Sequence, residues 1–238
     1  MSQLDPRLSK AVTAHSSIVA TLNVIHSLRT YGLHRTLLFA ALGHGIPILG
    51  ELLAIHVLKV IRHHIQPQIS DVPLAIALGW YNVGYGTLAT VNGAFNEGDK
   101  ARVRKSLAPT VALAATSLDL LLDPLGLDLG LWEWSEGGPY ALETKGPNGK
   151  RGIPVLNFAG WLTLSTSVIL AYQRLRTRGD AADASDSQNG GGSDTERAAA
   201  LLLLSYYLPA AAWALKRGRR KYLIFSAPFA TTLWAALR

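Results

Sequence analysis

Asp119 and Asp123 are the residues of this 238-residue chain best placed to do chemistry. They stand at i and i+4 in Thr116-Ser-Leu-Asp-Leu-Leu-Leu-Asp-Pro-Leu-Gly126, so on a helix they share one face. The run around them is apolar enough for a membrane interior, where a carboxylate costs about 2.5–3.5 kcal/mol and turns towards the inside of a bundle. Two carboxyls sharing such a place repel each other when both are ionised, and the pair can keep one proton and give it to a weak base. Trp132-Glu-Trp134 follows closely, and its indoles can wall an apolar pocket and steady a cation. Together these residues point to proton chemistry on an apolar substrate. A structural alternative stays open, in which Asp123 caps the turn at Pro124 and Asp119 pairs with a cation from another helix.

Glu51 is a third buried-acid candidate. It lies between Gly50 and Leu52 in an apolar segment and needs a partner, with His44, His56, Lys59 and Arg62 in reach by sequence. The aromatic residues Trp80, Tyr81, Tyr85, Trp132, Trp134, Tyr140 and Trp161 gather at the ends of apolar runs. They form either an interfacial belt or a wall around a polyene; Trp213 and Trp234 read as belt. His44, His56, His63 and His64 lack the recurring helical spacing of a histidine-box metal site, so no metal is expected. With no cysteine there is no disulfide, thiolate ligand or Cys nucleophile. Phosphate-loop, GxSxG and DDxxD patterns are also missing from the sequence.

The elements that must position these residues read as membrane helices. Charged residues make up 16% of the chain, against roughly a quarter in soluble domains, while 49% are hydrophobic and the mean hydropathy is +0.19. The net charge of +7 is carried where apolar runs end: Arg102 to Lys105, Arg174 to Arg178 and Lys216 to Lys221. That is a membrane protein's charge pattern, and no nucleic-acid partner is expected. The N-terminus carries no secretory signal pattern. Apolar segments fall at 11–29, 33–61, 72–95, 106–127, 153–172, 198–215 and 222–237. Pro47 should kink the second, and regular helix should end or bend at Asp123, before Pro124. Loops are expected over Asn96 to Lys105 and 128–151, and a disordered linker over 178–197. The expected architecture is all-α: a polytopic transmembrane bundle of six to seven spans, one membrane-embedded domain over 1–238, integral and multi-pass. Alternating sides would place the basic loops 96–105 and 173–197 opposite the basic stretch Lys216 to Lys221, so charge alone leaves the orientation open.

At these residues the sequence resembles the membrane carotenoid biosynthesis family that includes the carotenoid 1,2-hydratases and bisanhydrobacterioruberin hydratases. The resemblance rests on Asp119, Asp123-Pro124, Trp132 and Trp134, Gly138 with Tyr140, Gly152-Ile153-Pro154, and Asn157 with Gly160-Trp161. A weaker echo runs from Glu51 through Val72-Pro73-Leu74 to Trp80, and together they cover about a third of the chain. The sequence departs from the family in three places. Glu143 to Arg151 is inserted between Tyr140 and Gly152, His56 to His64 stands where a Tyr-rich stretch is usual, and the 178–197 linker is extra.

The resemblance implies cofactor-free hydration of a terminal isoprenoid double bond. Asp119 or Asp123 would donate the proton, Asn157 would hold an aspartate or a water, and Glu51 would complete the polar network. Trp80, Tyr81, Trp132, Trp134, Tyr140 and Trp161 would contact the substrate. The partners implied are a lipophilic isoprenoid, the lipid bilayer and other enzymes of carotenoid or terpenoid pathways. Two alternatives stay open: a protonation-initiated terpene cyclase, and a non-enzymatic membrane scaffold or transport protein that keeps the fold.

Overall fold

The computed structural model describes residues 4–94, 100–180 and 193–238. Helices dominate. In chain order they are α1 (Pro6–Leu52), α2 (Leu74–Ala94), α3 (Lys100–Asp128), α4 (Val155–Asp180), α5 (Ser193–Lys216), α6 (Lys221–Phe225) and α7 (Ala227–Leu237). Three antiparallel strand pairs lie between them, which the sequence did not lead us to expect. β1 (Ile61–His63) pairs with β4 (Trp132–Trp134), β2 (Gln68–Ile69) with β3 (Val72–Pro73), and β5 (Tyr140–Lys145) with β6 (Arg151–Ile153).

α1 starts behind Asp5, whose carboxylate accepts from the Arg7 N–H, with Pro6 in the first turn where a missing N–H costs nothing. It consists of two arms. Gly32, at φ 79° and ψ 173°, breaks the helix in the gap between the two apolar segments read from sequence. The Ser27 and Thr36 hydroxyls bond each other across the break at 2.8 Å. The second arm ends before residue 61: a π-turn at Leu53–Val57 unwinds it and β1 follows. The helix that was expected there is a strand.

α3 corrects two further expectations. It begins at Lys100, inside the expected loop, of which 96–99 lies outside the described residues. It also runs through Pro124 to Asp128. Proline has no N–H to give to the carbonyl four residues back, here that of Leu120. The Tyr140 hydroxyl supplies the missing donor at 2.6 Å, so the helix passes its proline without an orphaned carbonyl. The true end comes at Gly130, at φ 70°, with the Leu131 N–H on the Gly126 carbonyl and the Gly130 N–H on that of Leu127. That is the two-bond glycine cap of a helix C-terminus.

Helix also enters both ends of the expected linker, since α4 reaches Asp180 and α5 begins at Ser193; residues 181–192 lie outside the described residues. The inserted Glu143 to Arg151 is β-structure, the far part of the β5–β6 pair with its turn at Gly146 to Gly149.

The helices form an inner and an outer set. α2 is buried on nearly every face from Trp80 to Val91, against α1, α3, α5 and α7. Most of the 106–128 stretch of α3 is buried too. The arms of α1, with α4 and α5, turn leucines and isoleucines outwards, among them Ile18, Leu33, Leu49, Leu162, Leu201 and Leu208. Among the described residues four helical stretches are long and apolar enough to cross a membrane: Pro6–Val57, Ser106–Asp128, Val155–Arg176 and Arg197–Lys216. That is fewer than the six to seven expected. The first contains both arms of α1, and α2, which buries Asn82, Thr87 and Thr90 inside the bundle, is not among the four. The 222–237 segment is broken at Ser226 into α6 and the 11-residue α7, well short of the roughly 20 residues a span needs.

Candidate active site

The i, i+4 spacing places Asp119 and Asp123 on one inward face of α3, 5% and 2% exposed. Asn157, in the first turn of α4, spans the pair. Its Nδ2 donates to Asp119 Oδ2 at 2.8 Å and to Asp123 Oδ2 at 2.7 Å. The other Asp123 oxygen, Oδ1, accepts from the Trp132 indole Nε1 at 2.5 Å. Among the described residues neither aspartate has an ion-pair partner, so the cation that the structural alternative required is not what holds Asp119.

Gly126 explains how Trp132 reaches so deep. It lies one turn beyond Asp123 on the same face, and a Cβ there would collide with the Trp132 ring. The indole therefore lies on bare helix backbone with its N–H aimed at the carboxylate. The Trp134 indole N–H lies near the same carboxylate but makes no hydrogen bond.

A second polar group faces this one. Glu51, in the last turn of α1, takes the Trp80 Nε1–H on Oε1 at 2.8 Å and meets His63 Nε2 with Oε2 at 3.0 Å. None of His44, His56, Lys59 and Arg62, the partners in reach by sequence, holds it. Trp80 stacks on Trp161 with centroids 3.7 Å apart and 20° between planes, joining α2 to α4.

The β1–β4 ribbon ties the two groups together. His63 lies opposite Trp132 and Ile61 opposite Trp134, and the His63 and Trp132 rings meet edge to face at 6.2 Å. One cross-strand pair thus carries the partner of Glu51 and the partner of Asp123 side by side.

These groups line a cavity of about 400 Å³, walled elsewhere mainly by apolar side chains such as Leu122, Leu125, Ile65 and Ile76. Its size falls in the usual range for small-molecule sites, roughly 300–1,000 Å³. Glu51, Trp80, Asp119, Asp123, Trp132, Trp134, Asn157 and Trp161 all border it.

Tyr81 and Tyr140 do not. Tyr81, 1% exposed, stacks on His44 at 4.9 Å and on Tyr85 at 5.8 Å in the α1–α2 interface. Tyr140 serves the Leu120 carbonyl and packs on Phe158, Tyr222 and Phe225. Burial first, then the nearby Asp119 and Asp123 charges, pushes its phenol well up, which keeps it a donor.

Sequence reasoning weighed His63 only as a metal ligand, set that aside, and gave it no place in the site. One signal was available: Ile61, His63 and Ile65 alternate, and all three border the cavity, as one face of a strand would. It also passed over His15, Ser205 and Tyr206, which border the cavity from α1 and α5 and are joined by a His15 Nε2 to Ser205 Oγ contact of 2.9 Å. Lone polar residues in apolar runs gave no signal of a shared site.

No curated protein and no solved structure matches the chain. A family model described as carotenoid biosynthesis protein matches residues 12–217, from the first turns of α1 to the end of α5. With four stretches able to cross a bilayer and a buried acid pair in an apolar cavity, this membrane protein belongs to the carotenoid biosynthesis protein family.

Proposed function

We propose that this protein is a multi-pass membrane hydratase that adds water to a terminal isoprenoid double bond of a carotenoid or related polyene, without a cofactor. The observation that carries this reading is the pair of buried aspartates bridged by one asparagine amide at the wall of an apolar cavity. A single proton on the pair relieves the repulsion of two carboxylates in an apolar surround, and that proton is the catalyst.

The alkene π pair takes it. A C–H bond forms at the less substituted carbon and a tertiary carbocation is left beside it. Trp80, Trp132, Trp134 and Trp161 border the cavity, and their faces suit a cation. Water then forms the C–O bond and loses a proton, giving a tertiary alcohol. Such acid–base help is worth roughly 10²–10⁴-fold. A cavity of about 400 Å³ takes the reacting end of a long polyene and leaves the rest to the lipid.

The four indoles also suit a second ending, in which an internal double bond captures the cation and a ring forms. Expression in cells making an acyclic carotenoid, beside an Asp123→Asn variant, separates the two. Pigment heavier by one water, lost in the variant, supports hydration. A new isomer of unchanged mass supports cyclisation, and an untouched pigment refutes both for that substrate.

A further inference from the structure

The hydration reading names an acid but leaves open what takes the proton from the attacking water. We infer that His63, fixed by Glu51, is that base; the inference rests on the hydration reading above. His63 is 8% exposed, borders the cavity, and meets Glu51 Oε2 through Nε2 at 3.0 Å. A carboxylate at Nε2 selects the tautomer with hydrogen on Nε2 and leaves the Nδ1 lone pair as an acceptor. In the structure Nδ1 is buried and has no hydrogen-bond partner among the described residues. Buried polar atoms are rarely left so, and the donor we assign to Nδ1 is the attacking water, which must reach it from the cavity that His63 borders.

The supports around the dyad are those of a positioned base. Glu51 is held on its other oxygen by the Trp80 indole, and Trp80 is clamped by its stack on Trp161. His63 is fixed in β1, opposite the tryptophan that binds Asp123. Acid and base thus sit on one ribbon-braced cavity, each ordered by its own indole.

The proton balance closes. An aspartic acid of the pair gives H⁺ to the alkene, and the cation forms a C–O bond to water. The water O–H breaks towards His63 Nδ1, and the resulting imidazolium is stabilised by Glu51. Cavity water carries the proton back to the aspartate pair.

The test follows a purified polyene, lycopene, with the full-length protein in lipid nanodiscs made up in D2O. Two quantities are read by mass: hydrated product, and deuterium in recovered unhydrated substrate. The second reports carbocations that lose a proton again before water adds. His63→Gln keeps an N–H donor for Glu51 but offers no base. It should lose hydration by about 10²-fold or more while deuterium incorporation stays within about threefold. Glu51→Gln should move in the same direction by a smaller factor, and Asp123→Asn should lose both signals. Hydration by His63→Gln within threefold of wild type overturns the inference. So does equal loss of both signals in a variant whose unfolding is unchanged, because the histidine would then be acting on the acid. A wild-type protein that neither hydrates nor exchanges overturns the acid-pair reading for that polyene, and this inference falls with it.

Discussion

Replacing Asn157 by alanine tests the acid pair most directly, because one nitrogen makes both of its bridging bonds. Nδ2 stands 2.8 Å from Asp119 Oδ2 and 2.7 Å from Asp123 Oδ2. With one proton on the pair, one bond runs to an ionised carboxylate and the other to a neutral acid. Such bonds are worth about 1.5–3 and 0.5–1.5 kcal/mol respectively. The site borders a cavity, so a water can enter the space left by truncation and restore part of the sum. We therefore expect about 2–3 kcal/mol to be lost, at the low end of the range. If the bridge sets the geometry from which the proton leaves, the loss appears in the transition state as roughly 30–150-fold in turnover. The assay is conversion of an acyclic carotenoid by wild-type and Asn157→Ala protein in nanodiscs, with thermal unfolding measured on the same samples. Asn157→Asp sharpens it: a third carboxyl beside the pair should be worse than alanine, although aspartate is nearly isosteric. Turnover by a folded Asn157→Ala protein within about threefold of wild type would refute the claim that this amide organises the acid.

Other perturbations probe the scaffold. Gly126→Ala puts a methyl into the Trp132 ring and should destabilise by about 1–3 kcal/mol, seen as a lower Tm together with a changed near-ultraviolet tryptophan signal. A lower Tm without the tryptophan change would show that the ring does not lie where the glycine admits it. Asn82, fully buried, donates to the Ser16 carbonyl at 2.9 Å and to the Tyr206 hydroxyl at 2.8 Å, and accepts from Asn23 at 3.2 Å. Asn82→Leu should cost about 1–2 kcal/mol in unfolding experiments, and an unchanged Tm would mean that this network does not join α1, α2 and α5. Glu143 gives a pH signature. Partial burial pushes its carboxyl up, but hydrogen bonds from Tyr222 and Lys221 outweigh that and hold it below its ordinary 4.5. Its contribution is therefore fully present above that ordinary value and is lost as pH falls through the depressed one. Glu143→Gln should lower Tm at about pH 7 and approach wild type as pH falls below the ordinary carboxylate range; curves that stay parallel would contradict this.

What the sequence determined is local. The apolar runs located the central parts of the long helices, though not their ends, and the i, i+4 spacing placed Asp119 and Asp123 on one face, because 3.6-residue periodicity needs no partner to be read. The motif residues from Asp119 to Trp161 pointed to the family whose model matches the chain. The gap before residue 33 located the break at Gly32. What only the tertiary structure decided is which distant residues complete each local feature. Asn157 reaches the aspartates across 38 and 34 residues, a contact set by the docking of α4 on α3. Glu51 finds His63 because the chain turns back through a π-turn into a strand, and the strand's register against Trp132 is a long-range choice that the basic, short Arg62 to His64 stretch did not advertise. Pro124 read as a helix end because local rules cannot know that a tyrosine 16 residues onward serves the stranded Leu120 carbonyl. The same contact removed Tyr140 from the expected substrate wall, as packing on His44 and Tyr85 removed Tyr81. Periodicity says which way a side chain points along its own element; what it meets there depends on how elements far apart in sequence pack.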